Sequence, residues 1–158
     1  MRRIVPFLIA AALQAACSSV DCPLYKTVET KYVLAGEVDT LHDTLSVMIT
    51  KVDGKDSLVL NSLTAATEFK LPMSHRQPAD VFVFTFTDTL RHTVTDTVTI
   101  EKTDTPHFES VDCAPSFFHT INHVRWTTNV IDSIAISKAQ VTYDNTKGHF
   151  LLYLKPGH

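Results

Sequence analysis

The chain has 158 residues and a mass of 17.6 kDa, with 44% hydrophobic and 20% charged residues. That length suits one domain with a sizeable core and leaves no room for two full-sized ones. Fourteen Lys and Arg against seventeen Asp and Glu give −3, so there is no basic field to hold nucleic acid, and four Gly are too few for a phosphate cradle.

Arg2 and Arg3 supply a positive start, Ile4 to Leu13 form a short apolar run, and the small residues Ala15 and Ala16 precede Cys17. This is the layout of a secretory signal peptide over residues 1–16, because the run falls short of the roughly twenty residues a spanning helix needs. The placement of Cys17 resembles the lipobox of bacterial lipoproteins, in which the cysteine becomes residue one and is acylated; Gln14 stands where Leu is usual. The alternative is an ordinary signal peptide cut after Ala12 or Ala16, with Cys17 a plain thiol. With Cys17 lipidated, Cys22 and Cys113 remain as an even pair suited to an oxidising envelope. A bridge between them would staple the tether, residues 17–25, onto the domain, worth roughly 3–5 kcal/mol on the chain-entropy model. Metal binding by two such distant cysteines is the weaker alternative.

From residue 26 to 158 the chain reads as a single β domain. Threonine is frequent and favours strands. Leu45, Val47 and Ile49 alternate with Thr44, Ser46 and Met48, and Lys51-Val52-Asp53-Gly54-Lys55 then carries a hairpin signal. Leu71 to Asp80 is a loop containing Pro72, Met73, His75, Arg76, Gln77 and Pro78. Phe82, Phe84 and Phe86 point one way along the next strand, and Leu90-Arg91-His92 turns the chain into Thr93 to Lys102. There Asp96 shares a face with Val94, Val98 and Ile100, so either a bulge shifts the register or the strand starts only at Thr97. Phe117 to Asn122 reads as strand, and Ile134 and Ile136 alternate with Ser133, Ala135 and Ser137. Asp144 to Gly148 forms a second hairpin signal ahead of the apolar run His149 to Leu154. About eight strands spaced this way predict an all-β, immunoglobulin-like antiparallel sandwich, with a small barrel as the alternative.

Six times an Asp is followed by Ser or Thr and an aliphatic residue, placing Thr40, Thr44, Ser57, Thr89, Thr97 and Ser133 at the centre of the tripeptide. Chance gives roughly one or two in such a composition. Strand entry explains the pattern, since Asp favours turns. The tripeptide also resembles the O-glycosylation sequon of Bacteroidota envelope proteins, and in the Asp43, Asp56 and Asp132 contexts an inward aliphatic residue would leave the hydroxyl facing solvent. The Cys17-Ser-Ser-Val-Asp-Cys22-Pro23 opening, Leu71-Pro72-Met73-Ser74 and the block from Pro106 to His119 resemble a domain-of-unknown-function family of Bacteroidota lipoproteins over about residues 17–155. That resemblance implies a location and an architecture and brings no reaction or ligand.

His119 and His123 would share a metal only on a helix; in a strand they stand roughly 13 Å apart, so no metal site is expected. His75, His92, His107 and His149 are scattered and read mostly as surface or loop residues. Trp126, the only tryptophan, reads as a core anchor before a sugar platform, and His75 and Arg76 are the best loop candidates for binding. No HExxH, GxSxG, P-loop or dinucleotide fingerprint is present, so neither catalytic residues nor a cofactor are assigned. The expected protein is a lipid-anchored envelope lipoprotein, most simply at the outer membrane and facing periplasm or surface. Its module is non-catalytic and engages an envelope protein, with glycan or small-ligand binding as the alternative and a spatially assembled hydrolase further behind.

Overall fold

The computed structural model describes residues 28–157. The signal segment and the whole tether, with Cys17 and Cys22, therefore lie outside the described residues. Among the described residues ten strands form two sheets. In chain order they are β1 (Glu29–Ala35), β2 (Thr44–Thr50), β3 (Asp56–Leu63), β4 (Glu68–Pro72), β5 (Ala79–Thr87), β6 (Thr93–His107), β7 (Ser116–Trp126), β8 (Ile131–Ile136), β9 (Gln140–Val141) and β10 (Phe150–Leu154). One sheet runs β3-β2-β5-β6-β7-β9 and the other β4-β1-β10-β8. The fold is an all-β sandwich, with two more strands than the eight expected.

Period-two alternation builds the core. In β5 every second residue is buried, with Phe82, Phe84 and Phe86 inward against Leu45, Val47 and Ile49 of β2. From the facing sheet Tyr32 stacks on Phe69 at 4.9 Å and on Phe150 at 4.8 Å, and meets Phe84 edge-on at 5.9 Å. This aromatic cluster joins the two layers.

The turns follow the sequence in two places. Lys51 N–H donates to Lys55 O, and Gly54 sits at φ +72°, closing β2 onto β3. Between β5 and β6, Asp88 accepts the His92 N–H at 2.9 Å while Arg91 takes φ +68°. The Asp144–Gly148 segment departs from its expected hairpin. It carries the chain from β9 in one sheet to β10 in the other, where β10 meets β1 in parallel, so the sandwich is not purely antiparallel. Asp144 holds this crossover by accepting from Thr146 Oγ1 at 2.6 Å and Lys138 Nζ at 2.9 Å. Glycine is required at 148, because a Cβ there would lie 2.6 Å from Val33 Cγ2. His149 is fully buried, not a surface residue: its Nδ1 accepts the Lys31 N–H at 2.9 Å.

Two apolar residues read as inward are outside. Ile136 is 39% exposed at the end of the edge strand β8, where it pairs in register with Phe150 and no further strand among the described residues covers it. Leu58 is 53% exposed because register places it opposite outward-facing Met48, while Ser57 stands opposite buried Ile49.

The longest strand, β6, decides the rest. It begins at Thr93 and pairs with β5 without interruption, Asp96 opposite Phe84. Neither a bulge at Asp96 nor a late start occurs. A register shift lies instead between Glu101 and Lys102, where Asn122 of β7 is the extra residue. Since β7 takes up that residue, β6 keeps its alternation, and Asp96, Val98, Ile100 and Lys102 all face inward and are buried.

Candidate functional site

Each end of the inward face of β6 carries charge. At the first end, the Asp96 carboxylate accepts from Thr127 Oγ1 at 2.6 Å and from the backbone N–H groups of Asn129, Val130 and Ile131 at 2.7–2.8 Å. Burial pushes its pKa up, but these hydrogen bonds together outweigh burial and hold it below the ordinary value. The arrangement fixes the path of residues 127–131, which lead into β8. Trp126 stands at this end, half-buried against the core with Nε1–H donating to Asp132 O at 3.2 Å.

At the other end Lys102 is fully buried. Its Nζ donates to Gln77 O at 2.7 Å and lies 3.2 Å from Asp104 Oδ1 and 3.7 Å from Asp80 Oδ2. Asp104 Oδ1 is in turn 2.6 Å from His119 Nδ1. Asp80, also fully buried, accepts the Ser74 N–H and the Gln77 Nε2–H, each at 3.1 Å. Gln77 Nε2 reaches Thr50 O as well, at 3.3 Å. Residues 73–78, the loop between β4 and β5, are thereby tied to β2, β5 and β6.

Burial pushes the Asp80 carboxyl above the usual carboxylate range, against the partial relief supplied by Gln77, Lys102 and Ser74. His119 is held below its ordinary value, chiefly by burial, although the bond to Asp104 opposes this. A neutral imidazole then donates Nδ1–H to Asp104.

The loop separates two clefts. One, of about 540 Å³, lies between the loop and the β2–β3 hairpin and is lined by Ile49, Lys51, Val52, Val59, Met73 and Arg76 among others. The second, of about 390 Å³, includes Val28, His75, Phe117 and His119, and shares Pro72 and Met73 with the first. His75 stacks on Phe117 there, with centroids 4.2 Å apart. His75 and Arg76, adjacent in sequence, therefore serve different clefts. Trp126 belongs to neither and lies at the far end of β7 from Phe117.

His119 and His123 are separated as strand geometry requires, and the extra residue Asn122 leaves His119 buried and His123 exposed. Among the described residues no group of three or more His, Cys, Asp or Glu is placed to hold a metal ion. Cys113 is half-buried in the loop joining β6 to β7. Of the six sequon hydroxyls, Thr89 is exposed in the β5–β6 turn. Thr40, Thr44, Thr97 and Ser133 are half-buried, and Ser57 is half-buried in the lining of the larger cleft.

Asp80, Lys102 and Asp104 escaped the sequence reading. Their signal was present in β6, where a buried alternation runs from Val98 and Ile100 into Lys102. A model of DUF6452, a family of unknown function, matches residues 44–154, from β2 to β10. No curated protein and no solved structure matches the chain.

Proposed function

We propose, from the premise that the chain belongs to the DUF6452 family of unknown function, that it is a lipid-anchored lipoprotein of the bacterial cell envelope whose β-sandwich is a non-catalytic interaction module. The observation that carries this reading is the clamp beneath residues 73–78. A buried ion pair such as Asp80–Lys102 is poor value for stability, since apolar residues of similar size serve as well. Its presence under a surface loop supports a demand for one loop shape, as a docking surface requires. The face formed by His75 and Phe117 then receives an envelope protein partner.

The remaining parts of the reading concern attachment. Acylated Cys17 holds the protein at a membrane, most simply the outer one, in the manner of the Bacteroidota lipoproteins its sequence resembles. A Cys22–Cys113 bridge fastens the tether near the β6–β7 loop. O-glycans sit on one or more sequon hydroxyls, Thr89 first because of its exposure.

The test is affinity capture from the native cells after mild in-cell crosslinking, with the anchor intact. Wild-type protein should bring down one stoichiometric envelope protein, and the His75→Ala/Phe117→Ala variant should lose it. Capture of the same proteins by both, or of none, overturns the docking reading. Cys17→Ala should release the chain from membranes, and a variant that stays bound removes the lipid anchor from the account.

A further inference from the structure

We infer that the cleft between residues 73–78 and the β2–β3 hairpin is a binding site for a single-chain amphiphile with an anionic head. This goes beyond the docking role, because neither His75 nor Phe117 lines this cleft, although Pro72 and Met73 border both clefts. Its volume of about 540 Å³ falls within the span of small-molecule sites. The lining combines apolar side chains from three elements: Ile49 of β2, Val59 of β3, and Pro72 with Met73 where β4 ends. Val52 of the hairpin, 69% exposed, adds an apolar lip that solvent alone does not favour. Methionine suits such a wall, since its unbranched side chain adapts to chains of different bend.

Two cations stand at the mouth, Lys51 on the hairpin and Arg76 on the loop. Neither has an ion-pair partner among the described residues. Asp53 also lines the cleft and accepts the Lys55 N–H at 3.1 Å within its own turn, so two cations stand there against one carboxylate. An apolar trough beneath two unpaired cations is complementary to an alkyl chain that ends in a carboxylate or a phosphate. The wall is set in advance. Gln77 bonds to both Thr50 O and Asp80, and Lys102 bonds to Gln77 O, so little ordering of the loop is left for binding to supply.

The probes are dodecanoate and dodecyl phosphate, titrated below their micellar concentrations into the full chain carrying Cys17→Ser, which removes only the acyl attachment. Dodecyl maltoside and inorganic phosphate serve as comparisons, and binding is read by calorimetry. Saturable one-to-one binding of at least one anionic probe, weakened about tenfold or more by Lys51→Glu/Arg76→Glu, supports the site. Preference for dodecanoate points to a fatty acid, and preference for dodecyl phosphate to a phosphate-headed lipid. Equal affinity for the maltoside overturns the anionic head. No saturable binding, or binding indifferent to both the charge reversal and Met73→Asp, overturns the site. Lys51 and Arg76 are exposed, so their variants should keep the wild-type unfolding midpoint, and failure to fold cannot imitate loss of binding. Loss of amphiphile binding with partner capture intact would remove this inference and leave the docking role standing.

Discussion

Asp96 and Lys102 share the inward face of one strand and are equally hidden from water, yet the two ends of β6 settle their charges in different ways. Asp96 is met by one hydroxyl and three backbone N–H groups, so its charge fixes a stretch of main chain. Lys102 is met chiefly by side chains, Asp104 and Asp80, and by the single carbonyl of Gln77. At the first end hydrogen bonding overcomes burial and the Asp96 pKa falls; at the second, burial prevails and the Asp80 pKa rises. A buried charge with enough fixed donors strengthens a fold, whereas a buried pair without them is a cost the fold carries. The Asp96 end is thus a structural knot, and the Lys102 end holds a surface loop in shape.

The comparison can be broken most forcefully at Asp96. Asp96→Ala strands three backbone N–H groups and should cost about 4 kcal/mol, read as a lowered denaturant midpoint with an unchanged m-value. Lys102→Met should cost about 3 kcal/mol, because Asp80 is left buried without its cation. A Lys102→Met chain as stable as wild type would show that Asp80 sheds its charge at no expense.

The pH dependence sharpens the same contrast. Asp96 has a depressed folded pKa, so its stabilisation is present above the ordinary carboxylate value of 3.8 and is lost as pH falls through the folded value. Asp80 has a raised one, so it weakens the fold as pH rises from 3.8 through its folded value and adds no further change above that. His119, held below 6.5, favours the fold fully above that pH, and its contribution fades as acid protonates the unfolded chain first. Between pH 6.5 and 5 the stability of wild type should therefore fall more steeply than that of His119→Gln, as followed by urea unfolding. Parallel curves would remove His119 from the account. The smallest effect is expected at Arg125, whose 2.8 Å pair with Glu101 is solvent-exposed; Arg125→Ala should change stability by less than about 0.5 kcal/mol in the same assay.

Much of the sandwich was legible because alternation is a local property. Phe82, Phe84 and Phe86 gave the face of β5, and Asp53-Gly54 gave the hairpin. Asp144-Gly148 carried the same kind of signal and misled, since whether a turn returns to its own sheet or crosses to the other depends on where β1 lies. Asp96 misled for a related reason. Its alternation was plain, but the donors that make its burial tolerable come from residues 127–131, about thirty positions away, and only the fold brings them together. Arg76 was found because it sits on a loop between strands. The cleft beside it was not, because half its lining comes from the β2–β3 hairpin.

The division between knot and clamp is tested most directly by amide hydrogen exchange on Asp80→Asn and Asp96→Ala at pH 7. Asp80→Asn should speed exchange at residues 73–78 while β2, β5 and β6 keep wild-type protection. Asp96→Ala should speed it throughout both sheets as global stability falls. Uniform loss of protection in Asp80→Asn, or loss confined to residues 127–131 in Asp96→Ala, would contradict the assignment of a local clamp to one end of β6 and a structural knot to the other.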